Sequence, residues 1–251
     1  MKTTFIVLAI WFSVIVYVQA ETISFNGSFS SPDTRVNIVE LYTSEGCSSC
    51  PPADRWLSKF KKDKRLWTEF IPVAFHVDYW NYIGWPDRFA LPQNSQRQRS
   101  YANRNNVSTV YTPGVMLNGK EWRTLYYKRP LVLDNSAKAG RLNVDISDDQ
   151  VSATFTSDQK NKTAFLNIAI LGFDLVTKVQ AGENNGRKLE HDFVVLGYER
   201  MSMKDSAEGY KLTTNLPMII EPAPRTGLAA WIDYGKDLTP VQATGGWLAS
   251  N

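Results

Sequence analysis

Cys47 and Cys50 are the only cysteines of the chain, set in Gly46-Cys47-Ser48-Ser49-Cys50-Pro51-Pro52. Two thiols at this spacing can exchange disulfides, because one sulfur attacks a partner and the other resolves the mixed disulfide that forms. The pattern alone is common, so its placement decides. Upstream, residues 36–42 read as a buried strand. Downstream, Ala53, Trp56, Leu57 and Phe60 fall on one face of an amphipathic helix. The pair therefore stands at a helix start, where unpaired N–H groups and the helix dipole favour a thiolate on the first cysteine. Pro51 and Pro52 suit that first turn, since their missing N–H groups cost nothing there. Cys47 is then the attacking sulfur and Cys50 the resolving one. A purely structural disulfide is the plain alternative, but closing so short a loop contributes only about 2 kcal/mol, against roughly 3 for fifteen residues.

Other groups are placed to assist. The resolving thiol needs a proton acceptor, and Asp54 and Asp78 are the candidate carboxylates. Residues 75–88 crowd aromatics at the end of a second apolar strand (73–77), and strand ends are where sites gather. Phe75 and Val77 read as core. Tyr79, Trp80, Tyr82 and Trp85 are more than one short loop can bury, so Tyr79, Trp80 and Trp85, with Thr112, are candidates for a substrate groove. His76 and His191 are the only histidines. No metal is the first expectation; the alternative is a copper or zinc site, or a metallochaperone, built on Cys47, Cys50 and His76, because thiolates suit Cu(I).

The elements that must hold these groups follow from periodicity. Strands at 36–42 and 73–77 alternate with the helix at 53–60 and a polar, solvated helix at 94–106. Residues 115–117 pair with 122–125 through the turn signal Asn118-Gly119, and a short helix follows at 131–138. Beyond Arg141 short alternating strands take over at 142–146, 151–155, 164–171, 193–198, 218–220 and 228–234, the grammar of an antiparallel sandwich.

Composition narrows the classes. At 43% hydrophobic and 21% charged the chain is neither disordered nor collagenous, and two cysteines are too few for a disulfide framework. A net charge of +3 gives no nucleic-acid footprint. Lys2, the apolar run 5–18 and Val18-Gln19-Ala20 read as a cleaved signal over 1–20. The run spans roughly 21 Å as a helix, short of the ~30 Å hydrocarbon core, so no stable membrane anchor is expected after cleavage. The protein is then secreted or periplasmic.

Several motifs occur together and in order: 41–54 with the cysteine pair, Phe75-His76-Val77-Asp78-Tyr79-Trp80 with Gly84-Trp85 and Asp87-Arg88-Phe89, Arg97-Gln98-Arg99 with Tyr101-Ala102, Val110-Tyr111-Thr112-Pro113, and Gly182-Glu183-Asn184 with Gly186-Arg187 and His191-Asp192. Together they resemble a secreted, thioredoxin-like family of unknown function found mainly in bacteria. The resemblance implies an α/β thioredoxin-like N-terminal domain over 21–140, followed by an all-β, sandwich-like domain over 141–251. It also implies that Pro113 is a cis-proline facing the cysteines, where it would order a partner chain. Gly114 and Phe193 stand where the family usually carries polar residues. The function expected is thiol–disulfide exchange with a cysteine-bearing protein or a small thiol. The rival is a module that binds a glycan or peptide through the aromatic loop and the β-rich half.

Overall fold

The structure is a computed structural model and describes residues 25–104, 107, 109–123, 130–159 and 162–250. The signal expected over 1–20 lies outside the described residues, as do positions 124 and 125 of the second hairpin strand. The first half holds β1 (Phe25–Ser30), β2 (Asn37–Thr43), α1 (Pro51–Ser58), β3 (Phe70–His76), α2 (Pro92–Ala102), β4 (Gly114–Leu117) and β5 (Lys120–Glu121). The second half is all strand: β6 (Arg141–Ser147), β7 (Gln150–Thr156), β8 (Ala164–Phe173), β9 (Leu175–Lys178), β10 (Lys188–His191), β11 (Val194–Ser202), β12 (Lys204–Ser206), β13 (Gly209–Asn215), β14 (Arg225–Tyr234), β15 (Asp237–Trp247) and β16 (Ala249–Ser250).

The expected α/β thioredoxin-like N-terminal domain is overturned by the sheet order. β2 and β3 run parallel and β4 lies antiparallel on the far side of β2. These strands, with β5, do not form a sheet of their own. They continue into one eight-stranded sheet in the order β15-β14-β8-β11-β3-β2-β4-β5. The seam is β3 against β11, where Ala74 N donates to Phe193 O at 2.8 Å. Strand dominates the molecule, and among the described residues only α1 and α2 are α-helical.

The physical reason is written in β8 and β14. Successive side chains of a strand point to opposite faces. Leu166, Ile168 and Ile170, with Leu228, Ala230 and Ile232, pack on Leu142, Val144 and Phe155 of a second sheet. That sheet runs β12-β13-β7-β6-β1-β16. Ala169, Leu171 and Phe173, with Ala229 and Trp231, pack instead with Val39, Leu41 and Phe75. Each strand thus serves two cores, as a strand apolar on both faces must.

Other expectations were corrected locally. α1 buries Ala53, Trp56 and Leu57 as its periodicity predicts. α2 is polar but not solvated: Asn94, Ser95, Arg97, Gln98 and Tyr101 are buried and bonded, with Arg97 forking onto Glu40 at 2.9 Å through two nitrogens. Asn118 and Gly119 take left-handed φ of 49° and 74°, the turn their types predict; the returning strand is β5, and just beyond it Trp122 N donates to Val115 O at 2.8 Å. Residues 131–138 form no helix, and 218–220 no strand.

Candidate active site

Asn37–Thr43 is buried throughout, and its chain leaves the sheet at Ser44 and Glu45 to present Cys47 and Cys50 ahead of α1. Two turn bonds shape the loop: Cys47 N donates to Ser44 O and Cys50 N to Cys47 O, both at 3.2 Å. Both cysteines are free and buried, Cys47 at 1% exposure, while Ser48 and Ser49 lie at the surface. Cys47 Sγ lies 3.2 Å from Ser49 Oγ and 3.8 Å from the Thr112 carbonyl. The Thr112–Pro113 peptide is cis.

The two thiols are driven apart electrostatically. A hydrogen bond from Cys50, with others from Ser49 and Thr112, outweighs burial and lowers Cys47 to about 6. Burial pushes Cys50 well above the ordinary thiol range, and its bond to Cys47 and the Asp54 charge push the same way. Asp54 stands one helical turn after Cys50, so both side chains share a face of α1. Its Oδ1 accepts from Thr43 Oγ1 at 2.8 Å. Burial raises the Asp54 carboxyl, against the pull of His191 and His76.

Of the other expected groups, Thr112 and Trp80 flank Cys47: Trp80 Nε1 donates to Thr112 Oγ1 at 2.7 Å, and a Cβ on Gly46 would lie 3.2 Å from Trp80 Cβ. Tyr79 donates to Gln98 Oε1 at 3.0 Å, and Gln98 donates on to Tyr111 O at 2.7 Å. Trp85 is half-buried, and its Nε1 donates to Glu45 Oε2 at 2.8 Å. Tyr82 is the aromatic left in solvent, 83% exposed. Asp78 is held by Ser95, whose hydroxyl donates to it at 2.5 Å, and no bond links it to the cysteines. His76 donates or accepts at Asp87 through Nδ1 at 2.7 Å. Among the described residues no cluster of three or more His, Cys, Asp or Glu is arranged to hold a metal, so Cys47, Cys50 and His76 are not brought together as ligands.

Beneath and beside the loop His76 is joined by residues to which sequence reasoning gave no role. Glu45, Asp87, His76 and His191 form a buried polar cluster: Glu45 N donates to Asp87 Oδ2 at 2.9 Å, His191 Nε2 lies 3.3 Å from Glu45 Oε1, and the imidazole centroids are 5.1 Å apart. From the far half, Asn184 Nδ2 donates to Glu45 O at 2.8 Å and Cys47 O at 2.9 Å, while Glu183 accepts from Ser48 N at 2.9 Å. The signal was present in Gly182-Glu183-Asn184 and His191-Asp192, but long sequence separation hid the contact. Gly114 and Phe193 also find reasons. A Cβ at Gly114 would sit 3.0 Å from Tyr111 O, and Phe193, at φ 61°, stacks edge-on with Phe173 at 4.8 Å.

The chain belongs to the family described as a protein of unknown function, DUF1223, whose model matches residues 38–233. A crystallographically determined protein from Agrobacterium tumefaciens is similar at TM-score 0.57 and 24% identity, covering 88% of this chain and 97% of that one. HBP35 of Porphyromonas gingivalis is similar at TM-score 0.55 and 12% identity, covering 86% and 76% respectively. At such identities the likeness is one of fold. No curated protein matches the chain.

Proposed function

We propose that the protein is a secreted thiol–disulfide oxidoreductase acting on a cysteine-bearing protein or a small thiol. The observation that carries this reading is geometric: two free thiols stand at the start of α1, with Cys47 Sγ 3.2 Å from Ser49 Oγ and 3.8 Å from the Thr112 carbonyl, and their surroundings lower Cys47 to about 6 and raise Cys50. A stable thiolate attacks, and a protonated thiol waits until it is needed. Secretion rests on Lys2, the apolar run 5–18 and the small residues before position 21.

In the reducing direction Cys47 Sγ attacks a partner disulfide. A Cys47–partner S–S bond forms, and the partner's other sulfur leaves as a thiolate that takes a proton from solvent. Cys50 then gives its proton to Asp54 and attacks Cys47 Sγ. The Cys47–Cys50 bond forms, the second partner sulfur leaves, and two electrons have passed to the partner. The oxidising direction is the reverse. Trp80 and the Thr112 carbonyl flank the reacting sulfur, and the exposed Ser48–Ser49 turn is the face on which a partner arrives. Cys47→Ser is expected to abolish exchange and Cys50→Ser to accumulate mixed disulfides with partner thiols. Turnover retained by Cys47→Ser defeats the proposal.

A further inference from the structure

The resolving thiol is sealed from solvent, so its proton needs a way out. Asp54 Oδ2 lies 4.0 Å from His191 Nδ1, too far for a direct hydrogen bond. Both residues line a cavity of about 130 Å³ whose rim carries the exposed Arg55, Lys188 and Glu190. A cavity of that size has room for water, and water can bridge polar atoms at such a separation. His191, 2% exposed, has no hydrogen-bond partner for Nδ1 among the described residues. Its other face looks at Glu45 Oε1 at 3.3 Å, and Phe89 and His76 pack against the ring at 5.8 and 5.1 Å between centroids.

Resting on the oxidoreductase reading, we propose that His191 is a positioning residue for the resolving step, relaying the Cys50 proton from Asp54 through the cavity to solvent. His76 is committed to Asp87, which leaves His191 as the one imidazole shared by two carboxylates, Glu45 and Asp54. The proton leaves Cys50 Sγ for Asp54 Oδ2, crosses the cavity to His191 Nδ1, and passes to solvent at the Arg55–Lys188–Glu190 rim. No electron moves in this step; it only frees the Cys50 thiolate that attacks Cys47.

Reaction of the reduced full chain with 5,5′-dithiobis(2-nitrobenzoate) separates the steps: the first thionitrobenzoate released reports attack by Cys47, the second reports resolution by Cys50. In His191→Gln the second phase is expected to slow about tenfold or more at neutral pH and to recover as pH rises. Added imidazole is expected to restore it, and the first phase to change far less. In Asp54→Asn the same loss appears, and adding His191→Gln deepens it little, because the two act as a unit. In the unsubstituted protein D₂O slows the second phase, a readout that needs no variant to fold. An unchanged second phase, a parallel fall of both phases with an unmoved pH profile, or no D₂O effect overturns the relay. Absence of any second phase in the unsubstituted protein would instead remove the oxidoreductase reading itself.

Discussion

The Cys47 thiol owes its acidity first to its neighbour, since the bond from Cys50 is the largest contribution and Ser49 and Thr112 add to it. Alkylation of Cys47 by iodoacetamide, mapped by mass, is expected to be half-maximal near pH 6 in the native protein. In Cys50→Ala the midpoint moves upward, and an unmoved midpoint would assign the acidity to the helix start alone. Beneath it, burial opposes ionisation of Asp87 and Glu45, yet His76 and His191 respectively hold both carboxyls below their ordinary range. Burial likewise opposes the charge on His76, and Asp87 raises it above 6.5 regardless. The depressed carboxylates contribute stability that is present above their ordinary values of 3.8 and 4.5 and is lost as pH falls through the folded ones. The raised imidazole contributes stability that is full below 6.5 and is lost as pH climbs through its folded value. The cluster therefore stabilises most between these limits. Asp87→Asn, which leaves His76 without its counter-charge, is expected to cost about 3–5 kcal/mol in urea unfolding and to flatten that profile.

At the scale of elements, the loop between β9 and β10 clasps the loop between β2 and α1. Asn184 satisfies two buried carbonyls at once, so Asn184→Ala strands both and is expected to cost about 1–3 kcal/mol in chemical denaturation. A loss below about 0.5 kcal/mol would mean that water replaces the amide. Much here was legible in advance. The 3.6-residue spacing of Ala53, Trp56 and Leu57 and the Asn118-Gly119 turn are local signals, and the cysteine pair falls at the helix start they define. What stayed hidden was non-local. α2 reads as a solvated helix because Arg97, Gln98 and Asn94 are polar, but their partners Glu40, Tyr111 and His76 lie on other elements. Burial of a polar face depends on such partners, and no window of sequence contains them.

At the scale of the whole molecule the expected α/β N-terminal fold gave way to a sheet that both halves share. A change from mixed to alternating periodicity near Arg141 suggests a domain boundary, yet periodicity reports how many faces of a strand are covered, not which strand lies beside it. Ala164–Phe173 is apolar on both faces, and that signal belonged to a strand shared by two cores. A fragment comprising residues 21–140 loses β11 from the edge of β3, together with Phe173, Phe193 and Trp231 from its core. It is expected to show no cooperative thermal transition by circular dichroism, whereas a sharp transition would show an independent N-terminal domain. The central claim, that two halves hold an exchange-active thiol pair, is tested most directly by the midpoint potential of Cys47–Cys50, measured by thiol trapping across redox buffers. The expected value lies between about −270 and −120 mV, the span of dithiol oxidoreductases; a value below about −300 mV would mark an inert structural bridge and defeat the exchange reading.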